Sequence, residues 1–130
     1  MKIKLTIPGQ PPRTTAQEHK VYMAGGRPHF YKPAKLKQAE KYLLTHLVDQ
    51  APTKPIQGAV ILDVTWRFAG RGHKDGEPKV TRPDTDNLQK LLKDCLTDAG
   101  FWTDDAQVTE EHVRKMWSRD PGIEIVISTG

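Results

Sequence analysis

Cysteine is nearly absent from this chain of 130 residues: Cys95 stands alone. An internal disulfide is therefore excluded, and so is a four-thiolate zinc site. Cys95 falls at an apolar position of a helical pattern and reads as a small buried hydrophobe. Long apolar runs are missing too. No stretch approaches the roughly 18 residues of a membrane span, and the opening MKIKLTIPGQ lacks the apolar core of a secretory signal. The expectation is a soluble, cytoplasmic protein without membrane contact. Aromatic residues make up 7% and hydrophobic residues 36% of the chain, a modest supply for one core. Small domains of this kind gain stability by pairing, so a homodimer is expected. Repeats, low-complexity tracts and linkers are also lacking, which predicts a single domain over residues 1–130.

Charge is present in quantity. Twenty basic residues stand against 16 acidic ones, for a net +4. That balance is compatible with a polyanionic partner without requiring one.

Alternation from Lys2 to Ile7 puts Ile3, Leu5 and Ile7 on one side of a strand, which Pro8, Gly9, Pro11 and Pro12 end. Two short runs around Gly25-Gly26 predict a hairpin. Arg13, Lys20, Arg27 and Lys32 make that segment basic. It fits a solvated loop, and equally a backbone contact with nucleic acid in which basic residues flank aromatic ones. Leu36, Ala39, Leu43 and Leu47 recur at helical spacing after Pro33, and Pro52 and Pro55 close that helix. Ala59 to Phe68 alternates as a strand, with Val60, Leu62, Val64, Trp66 and Phe68 facing one way. Gly70 to Thr81 reads as a flexible basic loop whose Arg71, Lys74 and Lys79, with Arg82 just beyond, suit a charged substrate. Leu88, Leu91, Leu92, Cys95, Leu96 and Ala99 give the strongest helical period, and Gly100 fits the left-handed stop with Phe101 as its hydrophobic contact. Val108 to Trp117 alternates poorly. Ile123, Ile125 and Ile127 alternate well, and the turn at Asp120-Pro121-Gly122 predicts a hairpin between the last two strands. The fold class is α+β, a small mixed sheet carrying two helices.

The second helix is bracketed by acidic pairs, Asp84 and Asp86 before it and Asp104 and Asp105 after it. Each has an ordinary explanation. Asp84 or Asp86 can cap the helix, Asp86 with Gln89 resembles a capping box, Asp86 can pair with Lys90, and Asp104-Asp105 can form a turn. Together the pairs fit a metal site better. Carboxylates that meet repel one another, and a divalent cation removes that cost. Oxygen ligands of this kind suit Mg²⁺ or Mn²⁺ in phosphodiester chemistry, with Lys90 set to meet charge at the reacting phosphate. A calcium loop is excluded because Leu88, Gln89 and Cys95 occupy positions that need an oxygen ligand, a glycine and a glutamate.

The run Arg82-Pro83-Asp84-Thr85-Asp86-Asn87-Leu88-Gln89-Lys90, followed by Asp94, Ala99-Gly100-Phe101-Trp102 and Asp104-Asp105-Ala106-Gln107-Val108, resembles the RusA family of Holliday junction resolvases. The resemblance implies a Mg²⁺-dependent endodeoxyribonuclease, often prophage-encoded, with Mn²⁺ as a substitute metal. It implies a homodimer that nicks symmetric strands of a four-way DNA junction in recombination and repair, at the nucleoid. Asp84, Asp86 and Asp105 take the family's metal-site aspartates, Lys90 its essential lysine, and Asp104 the place of a supporting or alternate ligand. Near the N-terminus, Arg13-Thr14-Thr15-Ala16-Gln17 departs from the family pattern and leaves the DNA grip open. Two other readings remain at this stage: a DNA-binding prophage protein of weak activity, and a nuclease for other branched DNA. Phe101 and Trp102 read as packing at the helix end, with stacking on opened bases as the alternative.

Overall fold

A computed structural model describes residues 1–15 and 20–129, with Lys20 described by its backbone alone. The elements follow as β1 (Lys2–Pro8), β2 (Lys20–Ala24), β3 (Arg27–Tyr31), α1 (Ala34–Val48), β4 (Val60–Phe68), α2 (Thr85–Asp98), a 3-10 turn (Asp105–Gln107), β5 (Val108–Trp117) and β6 (Gly122–Thr129). β1, β6, β4 and β5 form one mixed sheet in that order, and β2 and β3 form a separate ribbon. This is the α+β class expected. No helix among the described residues is long and apolar enough to cross a membrane.

The alternating strands place their apolar sides as the sequence predicts. Leu5 and Ile7, the odd-numbered isoleucines of β6, and Val60, Leu62, Val64, Trp66 and Phe68 are buried. They share one core with Leu36, Leu43 and Leu47 of α1 and with Leu88, Leu91, Leu92, Cys95 and Leu96 of α2. At the end of α2 the Phe101 amide donates to the Leu96 carbonyl and the Gly100 amide to that of Thr97, both at 3.1 Å. These are the paired bonds of a Schellman stop, and Gly100 supplies the required positive φ of 91°.

The expected hairpin between the last two strands does not form. β5 pairs parallel with β4, whereas β6 crosses to the other side of β4 and lies antiparallel to both β4 and β1. Burial decides the difference. Between β1 and β4, the apolar side of β6 lies in the middle of the core. Glu110, Glu111, His112, Arg114 and Lys115 make β5 suited to an edge, where charge discourages further pairing.

The loop after β4 also departs from expectation. Part of it is tied to the backbone of β5, along whose outer side it runs. The Gly76 amide donates to the Trp117 carbonyl at 2.8 Å, the Trp117 amide to Glu77 at 2.8 Å, and the Lys79 amide to Lys115 at 3.1 Å. The His73 ring stacks on Trp117, centroids 4.0 Å apart. Hydrogen bonds from His73, first, and the Lys74 amide hold the Glu77 carboxyl below its ordinary range. The loop thereby covers an edge that would otherwise present unpaired backbone groups.

Gln89 does not close a capping box with Asp86. It turns into the core at 3% exposure, where its Oε1 accepts from Trp66 Nε1 and its Nε2 donates to Glu111, each at 2.6 Å. Lys93 completes the chain on the other oxygen of Glu111 at 3.0 Å. Gln89→Leu leaves the Trp66 N–H buried without an acceptor and is expected to cost about 1–3 kcal/mol, read as a lowered midpoint of urea unfolding. The Cys95 thiol is pushed up to about 12, by burial first and then by Glu40, Asp98 and Asp94. Alkylation of native protein at pH 8 is therefore expected to be about a thousandfold slower than that of the unfolded chain. Rapid labelling without unfolding would show that the thiol is not enclosed as described.

Candidate active site

α2 presents Asp84 and Asp86 at its head. Asp84 is the N-cap residue, in an extended conformation, but its side chain makes no capping bond. Asp86 Oδ1 accepts from the neighbouring Asn87 amide at 3.0 Å. Both residues are exposed. Asn87 Oδ1 is buried without a hydrogen-bond partner. Lys90 follows Asp86 by one turn on the same helix face. Its ammonium pairs with Asp94 at 3.1 Å rather than with Asp86, so the ordinary explanation of the Asp86/Lys90 spacing does not hold. That exposed pair is weak and exchangeable, about 0.3–0.5 kcal/mol.

Two lysines brace the segment that delivers Asp84. Lys79 is only 4% exposed. Its Nζ donates to Thr81 Oγ1 at 2.6 Å and to the Arg82 carbonyl at 2.5 Å, and lies 4.5 Å from the centre of the Trp117 ring. Lys115 Nζ donates to the carbonyls of Thr81 and Pro83, both at 2.7 Å. Three consecutive carbonyls just before the aspartates are thus held from below. Burial, and then the nearby Lys115 and Arg13, lower the Lys79 pKa. The expectation that Lys79 meets DNA is corrected here, because its ammonium is enclosed and committed to the loop. Lys115 was not legible as a site residue, since nothing in a strand pattern says that its side chain reaches back across to residues 81–83.

The second acidic pair divides its work. Asp104 Oδ1 accepts from the Ala106 amide at 2.9 Å, and Gln107 Oε1 accepts from the Asp104 amide at 3.2 Å, a capping box on the 3-10 turn. Gln107 Nε2 also donates to Ile56 and Gly58 carbonyls at 2.9 and 3.0 Å, tying the turn to the approach of β4. The half-buried Asp105 side chain takes no part in this. It lines a cleft of about 430 Å³ with Asp94, Asp98, Asp104 and Glu40, where Lys32 pairs with Glu40 at 3.0 Å.

The expected meeting of both acidic pairs within one chain does not occur. Asp84 is braced from the end of β5, whereas Asp105 sits beside the start of β4. The 14 residues of α2 separate them by about 20 Å at 1.5 Å per residue. Among the described residues no three of His, Cys, Asp and Glu are grouped to hold a metal ion. Asp84 and Asp86, two residues apart at the head of α2, both present exposed carboxylate oxygens. Such oxygens suit a hard cation that keeps water and phosphate in its other positions.

The other predicted contacts fall on the surface. Arg13 is exposed and lines a cleft of about 380 Å³ with Lys35, and Arg27, Arg71, Lys74 and Arg82 are exposed. The side chain of Lys20 lies outside the described residues, as do Ala16 and Gln17. Phe101 and Trp102 are buried, with Trp102 Nε1 donating to Thr97 Oγ1 at 2.8 Å, so neither can stack on a base.

Residues 8–128 match the family described as Endodeoxyribonuclease RusA. The chain belongs to this family. It is 28% identical to YqaN of Bacillus subtilis (strain 168), itself uncharacterized, over 96% of this chain and 94% of that protein. It is 59% identical over 39 residues to the crossover junction endodeoxyribonuclease RusA of Escherichia coli (strain K12), and equally to that of Enterobacteria phage 82. Those two matches cover 30% of this chain and 32% of each relative.

Lys115→Met removes two bonds from the loop without touching an aspartate. The expected result is hydrogen exchange faster by about tenfold at the Leu88 amide, which donates to the Asp84 carbonyl at 3.1 Å, with the sheet amides unchanged. Uniform acceleration across β4 and β6 would show that Lys115 supports the whole fold and not this loop.

Proposed function

We propose that this chain is a Mg²⁺-dependent endonuclease that resolves four-way DNA junctions by paired nicks, working as a homodimer in the cytoplasm during recombination and repair. The observation that carries the reading, within a RusA-family chain, is the head of α2. Two exposed carboxylates stand there, that of Asp84 on a braced loop and unused as a helix cap, that of Asp86 in the first turn of the helix. Asp84 and Asp86 would hold the ion, with Mn²⁺ as a substitute. When bound, it would polarise the scissile phosphate and lower the pKa of attacking water.

The residues of the chain have separate duties in this reading. The lysine brace fixes the direction of Asp84 before substrate arrives, which avoids reorganisation at the moment of reaction. Lys90, released from Asp94, would meet negative charge on the leaving oxygen. Arg82, Arg71 and Lys74 would hold the phosphates on either side. Asp105 would complete the donor set from a second copy. A two-fold axis across α2 sets two helices antiparallel, so the head of one lies beside the tail of the other, twice per dimer. Two composite sites follow, matching a substrate that needs two incisions.

Asp84→Asn and Asp105→Asn should each lower nicking of a synthetic four-way junction by about a hundredfold or more, with binding retained. Mixing the two inactive variants separates the arrangements. A composite dimer regains one intact site and therefore single-strand nicking, whereas sites built within one chain stay dead in every mixture. Undiminished cleavage by Asp84→Asn alone would refute the assignment. A panel of flaps and forks at fixed salt tests the preference for four-way junctions.

A further inference from the structure

The aromatic side chains that reach solvent are not those beside the aspartates. Val21, Tyr22, Met23, Phe30 and Tyr31 are five of the eight large hydrophobic residues exposed among the described residues. All five lie on the β2–β3 ribbon, where every residue from Val21 to Tyr31 is exposed. Positive φ values of 61° and 75° at Gly25 and Gly26 close it with a tight two-residue turn that matches strand twist.

The register sorts the side chains. Val21 faces Phe30 and Met23 faces Pro28, which gives one face with no polar side chain. Phe30 is 78% exposed there. Tyr22, Arg27, His29 and Tyr31 share the opposite face, with Tyr22 stacked on His29 at 5.1 Å and edge-on to Tyr31 at 5.6 Å. A wholly apolar face held in water, away from the core, marks a binding surface. Charge identifies what binds. No acidic residue occurs from Lys20 to Ala39, while Lys20, Arg27, Lys32, Lys35 and Lys37 are basic. A second copy docked on this ribbon would bring like charge against like charge, whereas a polyanion neutralises it.

We propose that the β2–β3 ribbon opens the branch point of the DNA, with Arg27 against backbone phosphates and Phe30, flanked by Met23, set against base-pair faces where the arms part. The inference rests on the branched-DNA reading above and adds the element that distinguishes a junction from a continuous duplex. A five-residue strand spans about 17 Å, and a two-stranded ribbon fits a major groove about 12 Å wide. Phe, Met and Pro are the side chains that wedge between base steps and replace the stacking lost there. An exposed ring does so without regard to base identity.

The test uses the full chain and a four-way junction carrying 2-aminopurine at the branch point, bound in EDTA so that no strand is cut. Wild-type protein should raise the fluorescence as the base unstacks. Phe30→Ala should abolish the rise and weaken junction binding by about tenfold, with duplex binding and sedimentation unchanged. Phe30→Trp should restore it. An unchanged rise with Phe30→Ala overturns the proposal. So does loss of the dimer in that variant, which would make the ribbon a contact between copies. Nicking by wild type in Mg²⁺, measured in parallel, tests the enzymatic reading by itself. A wild type that nicks junctions without unstacking them refutes the ribbon alone, and a wild type that does not bind them refutes both.

Discussion

The parallel pairing of β4 with β5 governs the arrangement of this molecule. A parallel neighbour can be reached only by a connection that returns the chain to the starting end of the sheet. Here α2 makes that return, covering the apolar side of β4 as it goes. Its head therefore lies at one end of the sheet and its tail at the other. Whatever the sequence places on either side of the helix is held apart by its length. The two acidic pairs are separated by the same constraint that gives the protein its core, so no local adjustment brings them together. In the proposed homodimer, association across a two-fold axis would reunite them without altering either chain.

Precision at the head of α2 comes from beneath. Lys79 and Lys115 approach from the loop beside β5 and from β5 itself, and both end on the carbonyls of residues 81–83. A buried ammonium is costly unless its protons are accepted. Lys79 meets that demand with Thr81 and Arg82 and rests against Trp117. The basic residue that looked like a substrate contact is thus a support. The tail of α2 has an analogous device, in which Gln107 joins the 3-10 turn to Ile56 and Gly58 while Asp104 caps it. Of the three aspartates expected to do chemistry, Asp84 and Asp105 make no side-chain hydrogen bond among the described residues, and Asp86 accepts only the Asn87 amide.

Much of this was legible from periodicity, because burial imposes it. The apolar side of β4, the face of α2, the glycine stop at Gly100 and the ribbon around Gly25-Gly26 all follow from local rules. Topology was less accessible. A proline-glycine turn before β6 signals a reversal but not which strand receives it, and the answer lay in the charge of β5 against the apolar side of β6. Side-chain duties were the least visible. Lys79 in the loop and Gln89 in the helix have ordinary surface identities, and only the rings of Trp66 and Trp117 beneath them explain why they turn inward. The convergence of the aspartates could not be judged from spacing, since a helix of this length separates its ends whatever residues flank it.

The position of β6 has a consequence for how the chain assembles. The final strand lies between the first and β4, so it is an interior member of the sheet and not its margin. Until Gly122–Thr129 emerges from the ribosome, β1 has no neighbour and the apolar side of β4 lacks its flank on that side. The sheet therefore has to be completed after β6 is synthesised, and a product broken off before Gly122 would lack the strand that joins β1 to β4.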